Sequence, residues 1–206
     1  KDGPATLTAE DLARAASRFT RPAYATLPAA DGDLAEALAA DRVFRSWHLR
    51  NVRPHQVPGY AVVTLPLKKT GMPPGDVSAE QMNAIADIAE RYSFGELRVS
   101  DEQNLILADV RLSELHALSR EACALGVVAP TTDLRTNVSC CAINDFCSLA
   151  NAKSMPVAAA IQRCCDELDY LHDVGGLDVN ISGCKNACGH DHSGHIGILG
   201  VDKQGA

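Results

Sequence analysis

The sequence predicts an α+β fold, a βαββα unit followed by a mixed α/β segment, and three observations predict it. The β-branched run Tyr60-Ala61-Val62-Val63-Thr64-Leu65 stops at Pro66 and reads as a strand. A capping signal at Ser78 opens a helix, which two short strand-like runs and a second helix follow. Four of the eight cysteines then fall into two pairs, Cys141-x5-Cys147 and Cys184-x3-Cys188, that can bring four thiolates around one inorganic centre. The chain therefore divides into a helical lead-in and linker (1–45), the βαββα unit (46–126) and the cysteine-bearing segment (127–206).

In the lead-in, Thr8-x-x-Asp11 forms a capping box with Asp in place of Glu, and Pro22 ends the Ala-rich stretch behind it. A second helix is expected from Asp33 through Trp47, with Leu34, Leu38, Val43 and Phe44 as its apolar face. The Pro/Ala segment from Arg21 to Gly32 reads as a linker between them.

Within the βαββα unit, Lys68 to Val77 is a loop rich in Gly and Pro. Ser78-x-x-Gln81 caps a helix whose apolar positions include Met82, Ile85 and Ile88. Glu96 to Val99 and Asn104 to Leu107 are short strands joined by Ser100 to Gln103, and a final helix starts near Ser113 and carries Leu115, Leu118 and Cys123. This order is that of a ferredoxin-like half. Downstream, Cys147 opens a short helix through Ala152, and a longer one from Pro156 carries Ile161, Cys164, Cys165 and Leu168. Asp178 to Ser182 is a strand that delivers Gly183-Cys184 at its end, and Gly194 to Val201 is another.

Composition narrows the function. The 206 residues are 46% hydrophobic and 22% charged, and 26 acids against 19 Lys and Arg give a net charge of -7. An acidic balance without a basic run speaks against nucleic acid, and nothing in it favours docking of an acidic electron carrier. The opening residues hold no basic segment followed by an apolar run, and no stretch reaches transmembrane length. No signal peptide and no membrane partner are expected. A cytoplasmic setting with reduced thiols follows, where clustered cysteines are metal ligands rather than bridges.

The flanks of the cysteine pairs sharpen this reading. The first cluster is Ser139-Cys140-Cys141-Ala142-Ile143-Asn144-Asp145-Phe146-Cys147, and the second is Ile181-Ser182-Gly183-Cys184-Lys185-Asn186-Ala187-Cys188-Gly189. With Pro58-Gly59-Tyr60 and Arg98-Val99-Ser100-Asp101-Glu102-Gln103-Asn104-Leu105 upstream, the chain resembles the haemoprotein of the nitrite/sulfite reductase family over roughly residues 55 to 201. The resemblance implies a second ferredoxin-like repeat followed by a sirohaem and [4Fe-4S] binding domain, with the first repeat absent from these residues. It assigns Cys141, Cys147, Cys184 and Cys188 to the cluster, Cys188 bridging to the sirohaem iron. It also puts Asn186 near the haem, although that residue could equally hold its turn through an Asx contact. Gly183 and Gly189 are expected at positive φ, and Ser182 is ambiguous.

The activity so implied is six-electron reduction of sulfite to sulfide, with nitrite to ammonia as the alternative on the same cofactors. The implied partners are the missing N-terminal half, an electron donor that is a ferredoxin or a flavoprotein subunit, and a small oxyanion. Basic residues that hold that anion belong in this family to the absent part, so these residues alone are expected to be inactive. Cys140 could replace Cys141 if the loop shifted. Cys123, Cys164 and Cys165 are expected in the core. His172, His190, His192 and His195 crowd the region and keep a structural Cys/His zinc module open as a rival, and a haem-free iron-sulfur carrier is a third reading.

Overall fold

A computed structural model describes residues 6–67, 72–127, 136–141, 147–166 and 177–201. Helix α1 (Ala9–Ala16) begins at the expected capping box, Thr8 Oγ1 accepting from Asp11 N and Asp11 reaching back to Thr8 N. The single helix expected from Asp33 is two, α2 (Gly32–Ala40) and α3 (Arg42–Asn51). Asp41 causes the break. Its backbone is extended, and its carboxylate accepts from Val43 N and Phe44 N, so it caps a new helix instead of continuing the old one. The turn rotates the face: Phe44 and Trp47 are buried, and Val43 is exposed.

Four strands form the first sheet in the order β1-β2-β4-β3, all antiparallel. They are β1 (Val52–Pro54), β2 (Tyr60–Leu65), β3 (Arg98–Val99) and β4 (Leu105–Arg111). Strand β2 has the expected bounds, β4 is longer than expected, and β1 is an edge strand the pattern does not announce. A register shift between Ala61 and Val63 pairs them with Val110 and Leu107. The bulge lets Leu107 and Val110 enter one core although three positions separate them.

Helix α4 (Ala79–Tyr92) starts at the Ser78/Gln81 capping box, and α5 (Leu115–Ala124) follows a 3-10 turn at Leu112–Glu114. Ile85, Ile88, Leu115 and Leu118 are completely buried with Val63, Leu65 and Leu107, each such side chain contributing roughly 1.5–3 kcal/mol. Met82 points outward and lies off that face. Leu34, Ala37 and Leu38 of α2 pack against the same core, as does Cys123.

The second sheet is parallel, β5-β6-β7, formed by β5 (Thr136–Cys140), β6 (Leu177–Ser182) and β7 (Ile196–Leu199). Helix α6 (Ser154–Asp166) covers it, with Ala158 packed on Val138, Cys140, Val179 and Ile181. Two expectations fail here. Residues 147–153 form turns rather than a helix, because Asn151 N and Ala152 N donate to Gly183 O across the chain and not along a helix. Cys164 is exposed on α6 and Cys165 half-buried, so Cys164 is no core residue. Leu168 lies outside the described residues.

The segment read as a linker is docked. Tyr24 donates its hydroxyl to Asp109 Oδ1 at 2.6 Å, and Ala25 N donates to the Tyr60 hydroxyl. Asp109 is buried on β4, and His55 Nε2 lies 3.2 Å from the same oxygen. Val57 N donates to His55 Nδ1, which leaves the ring proton on Nε2, facing Asp109. Burial and then the Asp109 hydrogen bond push the Tyr24 phenol up to about 12. The neutral phenol is thus the folded form. Its contribution is whole below the unfolded value near 10 and is lost as pH rises from there through about 12. Tyrosinate absorbance should show a phenol titrating near 12 that is absent in Tyr24→Phe, while Tyr92, also raised by burial and by Glu121, remains. That variant should lose about 1–3 kcal/mol in urea denaturation at neutral pH, since Asp109 loses a donor.

Candidate metal centre

The carboxyl ends of β5 and β6 lie side by side because their register is parallel, Cys140 opposite Ile181. Open α/β sheets place ligands at this end. Cys141 directly follows β5, and its N–H donates to Ile181 O at 3.0 Å. Cys184 stands two residues beyond the end of β6. The backbone of one residue joins the cysteine-bearing stretches: Gly183 N donates to Cys141 Sγ at 3.5 Å, and Gly183 O accepts from Asn151 N at 2.9 Å and Ala152 N at 3.1 Å. Those two amides belong to the turn that begins at Cys147, so that turn is held against the residue preceding Cys184.

Cys188 reaches the same place through a tight turn. Ala187 N donates to Cys184 O, His190 N to Ala187 O, and Gly189 N to the buried Ser182 hydroxyl at 3.1 Å. Ser182 thereby closes the turn. Positive φ falls on Ala187 and His190, and not on Gly183 or Gly189 as expected. Gly189 is required for space: a Cβ there would lie 2.0 Å from Ile181 O.

Cys141 and Cys184 are buried, and Cys147 and Cys188 are exposed. Burial foremost holds the Cys141 thiol above its ordinary range; the Gly183 N–H opposes this, and the charges of Cys188, Cys184 and Cys147 add to it. The other three cysteines are therefore within electrostatic reach of the Cys141 sulfur. Among the described residues no three Cys, His, Asp or Glu side chains stand at single-ion distance. Four thiolates around a cubane are spaced by the width of the cluster, so a single-ion grouping is not what that centre requires.

The other expected residues fall as follows. Cys140 packs against α6 in the second core, because strand alternation turns it away from the side that continues to Cys141. Asn186 is exposed at the tip of the turn, and its carbonyl lies 4.0 Å from Cys188 Sγ. His195 Nδ1 sits 3.2 Å from both the amide N and Oδ2 of Asp178, near the opposite end of β6 from Cys184. His190 and His192 are exposed with rings 6.4 Å apart, and His172 lies outside the described residues. A polar cleft of about 270 Å3 is lined by residues of both halves, Glu102, Ser139, Asn180 and His190 among others. Beside it Gln103 bonds to Cys140, a contact that neither spacing nor periodicity announces.

Residues 69–125 match the family model described as the nitrite/sulfite reductase ferredoxin-like half domain. The chloroplastic ferredoxin–nitrite reductase of Betula pendula is 28% identical over 176 residues, 82% of this chain and 28% of that protein. The corresponding protein of Zea mays is 29% identical over 180 residues, 82% and 30% of the two chains. The sulfite reductase (ferredoxin) of Mycobacterium tuberculosis is 28% identical over 140 residues, 65% and 25%. A solved structure of the Mycobacterium tuberculosis NirA protein aligns with a TM-score of 0.49 at 24% identity, over 68% of this chain and 25% of that one. The first unit is thus the ferredoxin-like half domain of a redox enzyme family. Over most of its length the chain is similar to nitrite and sulfite reductases, and it spans less than a third of the length of these curated relatives.

Gly189→Ala should destabilise the second sheet by about 1–3 kcal/mol through the clash with Ile181 O. Thermal unfolding would register this, and an unchanged midpoint would mean that the turn relaxes around the added methyl group.

Proposed function

We propose that this chain carries the [4Fe-4S] part of a reductase that takes sulfite to sulfide, with Cys141, Cys147, Cys184 and Cys188 as the cluster ligands. The observation that supports this most is the Gly183 junction, which ties Cys141 and the Cys147 turn to the residue before Cys184. An all-thiol donor set of four suits iron-sulfur binding, and the missing Cβ at Gly189 leaves the turn close to the strand end. When bound, the cluster and a sirohaem would supply one-electron storage and an iron that holds a small oxyanion through a six-electron reduction.

The chain's own groups have separate tasks in this reading. Cys141 and Cys184 hold the buried side, and the Gly183 N–H takes up part of the negative charge on the Cys141 sulfur, a tuning contact for such a centre. Cys188 is exposed, which suits a sulfur shared with the sirohaem, and Asn186 stands on the same exposed turn. The domain division at 45/46 and 126/127 belongs to the same proposal. So does a cytoplasmic, reducing setting; among the described residues no helix is long and apolar enough to cross a membrane.

Nitrite is the second substrate reading, favoured by relatives named as ferredoxin–nitrite reductases. The same names favour a ferredoxin as the electron donor. The remainder of a longer protein would be the further partner.

Metal and acid-labile sulfide analysis of the anaerobically purified chain tests the centre. About four irons with matching sulfide are expected. One zinc without sulfide would instead establish a structural Cys/His site. The iron-loaded chain, supplied with a chemical reductant and either oxyanion, should form neither sulfide nor ammonia, since the anion-holding residues are assigned elsewhere. Turnover above the metal-free control would contradict that assignment.

A further inference from the structure

We propose that Gln103 is the positioning residue for Cys141, a role that rests on the cluster reading above but is carried by a different contact. The Gln103 carboxamide donates from Nε2 to Cys140 O at 2.5 Å and accepts at Oε1 from Cys140 N at 3.0 Å. Among the described residues β5 is an edge of its sheet, and Cys141 N donates to β6, so alternation turns the Cys140 N–H and C=O toward the Gln103 side. Cys140 is buried, and Gln103 meets both of its backbone groups. An uncharged carboxamide presents one donor and one acceptor in a plane to such a pair.

Gln103 is itself held. Its backbone sits at φ 59 in the turn between β3 and β4, where Gln103 N donates to Ser100 O and Asn104 N to Ser100 Oγ. Gly75 leaves room for its stem, since a Cβ at Gly75 would meet Gln103 Cβ at 3.1 Å. Ser139 Oγ donates to Glu102 O beside it. The ferredoxin-like half therefore grips the residue immediately before Cys141 at two points. The alignment of Cys141 Sγ with Gly183 N depends on that grip.

The test is the alkylation rate of individual thiols in the metal-free chain, read by mass spectrometry, for wild type, Gln103→Ala and Gln103→Glu. Cys141 should react about tenfold faster in Gln103→Ala, the factor expected for one lost net hydrogen bond. Cys123, in the other core, should keep its rate. Gln103→Glu keeps the acceptor for Cys140 N and opposes Cys140 O, and it should fall between the two. If Gln103→Ala also frees Cys123, the Glu variant decides by the same pair of rates. Equal Cys141 rates in wild type and both variants would overturn the proposal. Iron uptake under identical loading should fall in the order wild type, Glu, Ala. A wild-type chain that takes up no iron would fault the cluster reading, whereas the alkylation contrast would still decide the role of Gln103.

Discussion

The backbone of Gly183 is the contact on which the cysteine-bearing half depends. Its N–H meets the sulfur of Cys141 from one strand end, and its carbonyl takes two amides from the turn that follows Cys147. These two groups belong to successive peptide planes, so one residue joins both stretches. The parallel register of β5 and β6 supplies the rest of the arrangement. It sets Cys141 and Gly183 at the same edge without any interaction between their side chains. Thiols far apart in sequence thus converge through backbone geometry, and the side chains at the strand ends need only be small.

Much of the first half was legible because its signals are local. Capping boxes at Thr8 and Ser78 and the β-branched run of β2 involve residues within a few positions of each other, and each was observed where the pattern put it. The failures have a common cause. Asp41 divides a periodic apolar stretch because a carboxylate competes for backbone amides, which periodicity does not record. The turn after Cys147 has helical composition, yet its amides find a carbonyl that lies far along the chain. The edge strand β1 is three residues long and half-exposed, too short for alternation to mark.

For the candidate site, spacing singles out the four cysteines as candidates and says nothing of their surroundings. Glycines flanking the second pair suggested positive φ, whereas the left-handed positions are Ala187 and His190 and the glycine at 189 answers to a carbonyl contact. Ser182 was ambiguous as a residue type and has a clear task as an acceptor for Gly189 N. Gln103 lies in the run from Arg98 to Leu105 with no role legible in sequence, because its partner is the backbone of a residue in the other half. Long-range contacts from side chain to backbone carry no signature in sequence composition. They decide how the two halves meet.

Charge explains why such a centre needs this much backbone support. Burial foremost holds the Cys141 thiol above its ordinary range, and the charges of Cys188, Cys184 and Cys147 add to it in a chain that is already acidic. In the metal-free chain the thiol proton therefore stays on Cys141, and metal binding must displace it, so loading releases protons and favours higher pH. A cation that neutralises the thiolates would remove their mutual repulsion and gain the Gly183 N–H as a charge-assisted donor. Rigid placement of Cys141 by strand register and by the peptide before it lowers the ordering cost still to be met when metal binds. In the proposed reading the ferredoxin-like half contributes to the centre without lending it a ligand: it holds the strand that leads to Cys141.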